Sequence, residues 1–239
     1  MLFDLVSPLP REKNDTLASH CCGIFIALSD TNLEPEIRAD LSEVTKSALT
    51  KSASTTTWVY HDALNEQSEY FSGGPLVDVY NKDGTPLTEN FQGSRYLTWD
   101  HGLQKMVVNT TFPTELNSDL KSVLQAFMQN ALTDCVAKGS SEFFLALSSH
   151  GAGFAGFGGD EFSQRRSRKL IQSNADIFSA IQGALSAVSG APMILDVLGF
   201  DACLMQSMDA LDDFAAITKY YLASEATEPG HGKTNQHSW

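Results

Sequence analysis

The sequence predicts an α/β fold, a mostly parallel sheet flanked by helices. Short apolar, β-branched runs recur along the chain, each ending in a polar turn, and patterns with helical spacing stand between them. With 42% hydrophobic residues in 239, the chain can bury one substantial core.

The first strand is Cys22–Leu28 (CGIFIAL), stopped by Ser-Asp-Thr-Asn. Glu34 to Leu49 sets Ile37, Leu41, Val44 and Ala48 at helical spacing, and Thr55–Tyr60 (TTTWVY) is the second strand, completing a right-handed βαβ unit. From Glu69 to Arg95 the pieces are short and alternating, around Gly73-Gly74-Pro75 and Asn81–Gly84. They predict a hairpin or meander inserted at the domain's edge, with Asp83-Gly84 as its turn.

Pro113 to Val136 aligns Leu116, Leu120, Val123, Leu124, Phe127 and Ala131 on one helical face, with Pro113 in the first turn. Phe143–Leu147 is a strand, Asp176–Val188 a helix, Met193–Phe200 a strand, Leu204–Ile217 a helix and Tyr220–Ala223 a last strand. The expected organisation is an N-terminal arm (1–20), one α/β domain (21–230) and a polar tail (231–239).

Composition narrows the function. A formal charge of −13 spread along the chain argues against nucleic acid, which needs clustered Lys and Arg, and suits a basic peptide. No apolar run reaches the ~18 residues of a membrane span. Asp4 and two prolines interrupt any secretory signal in MLFDLVSPLPREKNDT, so a cytoplasmic protein is expected unless the N-terminus is incomplete. Cys21, Cys22, Cys135 and Cys203 lack zinc-ligand spacing. Cys21-Cys22 reads as buried strand filler, and a disulfide framework is not expected.

The stretch Ser148–Asp160 (SSHGAGFAGFGGD) offers two chemistries. Gly151–Gly156 spells the dinucleotide pattern G-x-G-x-x-G, but that pattern requires its third glycine inside a helix that holds the pyrophosphate. Here Gly156 is followed by FGGDEF and a basic stretch, and the nearest acid, Asp176, begins a helix instead of ending a strand. The alternative is that the loop presents His150. Both His150 and Cys203 stand just past apolar strands, in LALSSHG and LDVLGFDAC, and the intervening helix makes those strands neighbours in a parallel sheet. Ligands bind at that edge of an open α/β sheet. A thiolate is the nucleophile, an imidazole moves its proton, and Gly151 lets a backbone N–H approach an oxyanion.

The blocks SSHGAGF, GFDACLMQSMD and ASEATEPGHG, with IFIALSDTNLEP before them, resemble the clostripain-like cysteine peptidases, the C11 group with its caspase/haemoglobinase-like sandwich. The blocks run in family order from about Cys22 to Gly232. The resemblance implies an endopeptidase that cleaves peptides or proteins after Arg or Lys. It makes His150 the catalytic base or acid, Cys203 the nucleophile, and the amides of Gly151 and Cys203 the oxyanion hole. Asp201 falls at the family's S1 acid, where a guanidinium needs a carboxylate, and Glu225 and Glu228 would add charge to the rim. Arg165, Arg166, Arg168 and Lys169 are candidate self-processing sites.

The sequence requires no cofactor. Calcium dependence is implied by the resemblance, yet no acidic loop has the spacing of a dedicated calcium site. The family pattern P-G-x-G-W departs here at Gly230-His-Gly232-Lys233, so a sheet without its last elements is expected. The alternative function is an inactive homologue that binds a peptide or partner.

Plainer roles compete for several of these residues. A free cysteine is usually a small buried hydrophobe, Asp201 suits a cap on a helix from Leu204, and a basic cluster is usually a solvated loop. His20, His61, His101 and His231 attract no role. Ser148 and Ser149 lack a G-x-S-x-G elbow.

Overall fold

The computed structural model describes residues 19–63, 79–87, 93–160 and 172–227. Its centre is one eight-stranded sheet in the order β3-β5-β4-β2-β1-β6-β7-β8. The strands are β1 (His20–Ser29), β2 (Thr55–Ala63), β3 (Val79–Tyr80), β4 (Gly93–Asp100), β5 (Lys105–Thr111), β6 (Ser140–Ser148), β7 (Leu195–Asp201) and β8 (Thr218–Leu222). Neighbours from β2 through β1, β6 and β7 to β8 are all parallel, and the antiparallel pairs β2-β4 and β4-β5 lie toward one side.

Helices α1 (Glu34–Lys46), α2 (Ala48–Lys51), α3 (Lys121–Ala137), α4 (Asn174–Ala187) and α5 (Met208–Phe214) connect these strands. Strand alternation divides the core. Ile24, Ile26 and Leu28 pack against Phe127 of α3, Ile181 of α4 and Phe214 of α5 on one face. Ala27, Val59 and Leu97 meet Ile37 and Leu41 of α1 on the other. Among the described residues no helix is long and apolar enough to cross a membrane.

Several local expectations are corrected. The helix expected from Pro113 begins at Lys121, because Asn117 Oδ1 accepts from the Asp119 amide and the Leu120 amide bonds the Asn117 carbonyl. This Asx turn competes with helix and leaves Leu120 exposed. The helix expected over Leu204–Ile217 shrinks to α5. Leu204 has φ +62°, and Ser207 caps the helix by accepting from the Ala210 amide. Asp201 ends β7 and caps nothing.

Gly84, with φ +82° and its amide on the Asn81 carbonyl, does turn the chain after β3. The regular hairpin, however, is β4-β5, C-terminal to most of the segment expected to form it. Much of 69–95 lies outside the described residues, as do Arg165, Arg166, Arg168, Lys169, Glu228 and His231.

Cys22 is not mere strand filler. It forms a disulfide with Cys135, joining β1 to α3 across 113 residues of sequence, with both side chains fully buried. A bridge over so long a loop restricts the unfolded chain by about 3–5 kcal/mol in the chain-entropy account. Thermal melts should therefore fall by several degrees under reduction or in Cys135→Ala, and peptide mapping without reductant should recover the Cys22–Cys135 linked pair. Melts indifferent to reductant would show that the bridge contributes nothing.

Candidate active site

The two residues that the sequence singles out, His150 and Cys203, follow adjacent strands. β6 and β7 pair in parallel with Ser148 opposite Asp201, so the segments that follow them, Ser149–Gly151 and Ala202–Met205, leave the sheet side by side. Ser149 is anchored twice, its amide to the Asp201 carbonyl at 3.4 Å and its buried hydroxyl to the Leu28 carbonyl at 3.0 Å. His150 follows, half-buried, and its carbonyl accepts from the Gly158 amide at 2.9 Å, closing the glycine loop behind it.

Gly151 is pressed onto the cysteine turn. A Cβ there would overlap the Cys203 carbonyl oxygen and stand 2.9 Å from Met205 Cγ and 3.0 Å from Ala202 Cβ. The glycines of the apparent dinucleotide pattern therefore serve packing, not phosphate. Gly153 begins a single 3-10 turn, and a Cβ on Gly156 would overlap the Gln172 carbonyl.

Cys203 is a partly buried thiol outside the disulfide. Its turn is tied to the segment after β8. The Leu204 amide bonds the Ala226 carbonyl at 3.0 Å, the Gln206 amide bonds the Ser224 carbonyl at 2.9 Å, and the Tyr221 hydroxyl donates to the Met205 carbonyl at 2.6 Å.

His150 Nε2 lies 2.6 Å from Asn32 Oδ1. With an amide oxygen as acceptor, Nε2 carries the proton and Nδ1 is left as the basic nitrogen. Burial lowers the His150 pKa below its usual 6.5. Asn32 stands in the turn after β1, the strand beside β6. The sequence shows this turn but gives Asn32 no role. The one available signal was that it leaves the same edge of the same sheet.

Asp201 is exposed, its carboxylate accepting from Ser148 Oγ at 3.4 Å, while that hydroxyl also lies 3.2 Å from Asp40 Oδ2. Glu225 is exposed between Ser224 and Ala226, the two residues that brace the cysteine turn.

His61 does not join them. Fully buried, it places Nε2 3.0 Å from Ser29 Oγ, and Nδ1 accepts from Arg95 Nε at 3.2 Å. Burial, then Arg95, hold it well below the usual histidine range, so it is a neutral packing group. His20 and His101 bond Thr56 Oγ1 and the Thr55 carbonyl near the opposite end of β2. A surface cavity lined by Thr57, Trp99, His101 and Lys138 also lies toward that end, away from His150.

His150 and Cys203 thus stand just past the C-terminal ends of neighbouring parallel strands, at the edge of an open α/β sheet where ligands bind. The clostripain family model matches residues 24–235, and the chain belongs to that family of C11 cysteine proteases.

Three solved structures share its fold. A secreted C11 cysteine protease from Bacteroides thetaiotaomicron, in complex with an irreversible peptide inhibitor, is 18% identical with a TM-score of 0.58 over 90% of this chain and 51% of that one. An inactive zymogen C11 protease from Parabacteroides distasonis is 17% identical, with a TM-score of 0.57 over 91% and 51%. A further secreted C11 cysteine protease from Bacteroides thetaiotaomicron, iotapain, is 11% identical, with a TM-score of 0.58 over 91% and 55%. The chain thus spans about half the length of these proteins. No curated protein matches it significantly by sequence.

Proposed function

We propose that this chain carries the catalytic centre of a cysteine endopeptidase that cleaves after Arg or Lys. The observation that supports this most is the packing of Gly151 on the Cys203 carbonyl, which holds the histidine loop against the cysteine turn. His150 Nδ1 takes the thiol proton as Cys203 Sγ attacks the scissile carbonyl carbon. The new oxyanion is received by the amides of Gly151 and Cys203. When the C–N bond breaks, His150 returns the proton to the leaving amine, and water, deprotonated by the same imidazole, then hydrolyses the thioester.

In this reading Asp201, exposed beside the site, receives the basic P1 side chain, with Glu225 and Glu228 adding charge at the rim. Arg165, Arg166, Arg168 or Lys169 serves as a self-cleavage point. The segment bearing them starts after fully buried Asp160 and ends at Gln172, which pairs with Phe157 of the glycine loop. Substrates are peptides or proteins with basic residues. Because disulfides persist in oxidising compartments, the Cys22–Cys135 bridge favours a location outside the reducing cytoplasm over the cytoplasmic expectation.

The test is hydrolysis of fluorogenic peptides with Arg, Lys, Asp or Leu at P1. Cleavage of the Arg and Lys peptides, with Asp201→Asn losing at least tenfold in kcat/KM on them, supports the assignment. Cleavage confined to Leu or Asp peptides would remove the basic specificity. The chain's mass, followed over time, reports any cut near Arg166.

Asn32 gives the site a pH signature. The base must be neutral, and the His150 pKa is lowered by burial, so kcat/KM should hold to below pH 6.5 before it falls with acid. Asn32→Asp sets a carboxylate against Nε2–H and stabilises the imidazolium. The acid limb should then move up by about one pH unit. A limb that stays in place in Asn32→Asp would remove Asn32 as the group that positions His150.

A further inference from the structure

Four large apolar side chains are exposed beside His150 and Cys203. Phe154 is 77% exposed and Met208 80%, and Leu204 and Leu211 are exposed as well. Leu204 directly follows Cys203, and Phe154 lies in the 3-10 turn (Gly153–Ala155) of the histidine loop. Met208 and Leu211 are three apart on α5, whose other face buries Ala210 and Phe214. The two groups meet at Gly153. A Cβ there would stand 3.2 Å from the Leu204 carbonyl oxygen and 3.3 Å from Ser207 Oγ, so the 3-10 turn lies on the segment between Cys203 and α5.

The backbone holds these side chains outward. Buried Asn174, the first residue of α4, donates from Nδ2 to the Gly153 carbonyl at 3.1 Å and to Asp213 Oδ2 at 3.0 Å, which ties the 3-10 turn to α5. Gly156 closes the turn against the Gln172 carbonyl. A turn fixed at both ends cannot rotate Phe154 into the core, where Phe157 and Phe200 already pack ring against ring. Single exposed apolar residues are ordinary on a protein surface, but a contiguous group at the rim of a site marks a contact surface.

The patch lies across the two loops from Asp201. That carboxylate shares the Ser148 hydroxyl with Asp40 of α1 and so belongs to the α1 face of the sheet, whereas α4 and α5 pack on the other face. A substrate whose P1 side chain points to Asp201 therefore carries its leaving-group side past His150 and Cys203 toward Phe154 and Met208. Asp209 and Asp212, exposed on α5, set negative charge beside the apolar group and complement a basic peptide.

We propose that Phe154, Leu204, Met208 and Leu211 form a subsite for an apolar side chain of the substrate on the leaving-group side of the scissile bond. The proposal rests on the reading of His150 and Cys203 as the site of peptide cleavage. An aromatic ring and an unbranched thioether accept groups of leucine or phenylalanine size without a strict shape.

The experiment is hydrolysis of internally quenched peptides with Arg at P1 and either Leu or Gly at P1′ and P2′, beside a second pair that varies Leu and Gly at P2. The full chain should favour Leu on the leaving-group side by about tenfold in kcat/KM, with little preference at P2. Phe154→Ser and Met208→Ser should each lower that ratio by about threefold, and the double variant should bring it near one. Melting temperatures should match the parent, because the groups removed are exposed. Met193→Ser is the control: equally exposed but just before β7, at the opposite end of the sheet, it should keep the parent ratio. The same peptides titrated calorimetrically into the Cys203→Ala chain need no turnover. There the Leu peptide should bind about tenfold more tightly than the Gly peptide, a margin lost on adding Phe154→Ser and Met208→Ser. Where peptides are cut, the cleavage ratios decide. If none is cut but the binding margin and its loss are seen, the cleavage reading fails and the subsite stands. A parent ratio near one, a preference confined to P2, or a margin that survives in the double variant overturns the subsite. Where nothing is cut, absence of binding up to about 1 mM peptide overturns it as well.

Discussion

Cys203→Ala and His150→Ala are each expected to lower kcat/KM on a basic peptide by at least about a thousandfold, and the double variant by no more than the worse single. Nucleophile and base act as one unit, so removing either removes the covalent step, and what survives is binding and oxyanion stabilisation. Folding should be preserved in both. The Cys203 thiol is partly buried and outside the disulfide, and its turn is held by backbone bonds at Leu204 and Gln206 that do not involve its side chain. Melting temperatures within a few degrees of the parent should accompany the loss. Cys21→Ala is the control: that thiol lies at the opposite end of the sheet, and burial, then Glu142 and Asp196, push its pKa up, which makes it a poor nucleophile. Activity lost in Cys21→Ala, or retained in Cys203→Ala, would assign the chemistry to a different thiol.

The sequence made the sheet readable because its strands are separated by turns and its helices carry one apolar stripe each. Parallel strands buried on both faces read as near-continuous apolar runs, as in Ile24–Leu28 and Leu195–Phe200. That His150 and Cys203 leave the sheet at one edge is readable because a motif at a strand end occupies a known edge once the neighbouring strands are known. Failures occurred where a local bond competed with a period. Asn117 delayed α3 with an Asx turn, and Leu204 in a left-handed conformation displaced the helix expected to begin there. Neither competition shows in hydrophobic spacing.

Contacts across long separations were hidden for a different reason. The Cys22–Cys135 pairing arises only when β1 and α3 are folded together. Asn32 lies between these cases. It sits in a turn that the sequence places after the first strand, 118 residues from His150, and nothing in one sequence ties an amide to an imidazole at that distance.

Gly151→Ala should be the most damaging substitution that removes no functional group. The clash is steric and not conformational, since Gly151 is outside the positive-φ glycines. The added methyl would occupy the position of the Cys203 carbonyl oxygen, with Met205 Cγ at 2.9 Å and Ala202 Cβ at 3.0 Å behind it. A flexible side chain could step aside, but this obstacle is backbone. It is fixed by the Leu204–Ala226 and Gln206–Ser224 hydrogen bonds and by the Tyr221 hydroxyl on Met205. The histidine loop must move instead, and it is held in its turn by Ser149 on Leu28 and Gly158 on the His150 carbonyl. Separating the two loops by about 1 Å is enough to cost roughly a hundredfold in kcat, and overpacking of this kind typically costs about 1–3 kcal/mol of stability. Gly139→Ala separates the two effects. That glycine has φ +79° with nothing within 4 Å of a Cβ, so alanine there should cost about 1 kcal/mol of strain and leave turnover intact. Full activity in Gly151→Ala would mean that the loops after β6 and β7 stand apart in solution, and the dyad would lose its geometric basis.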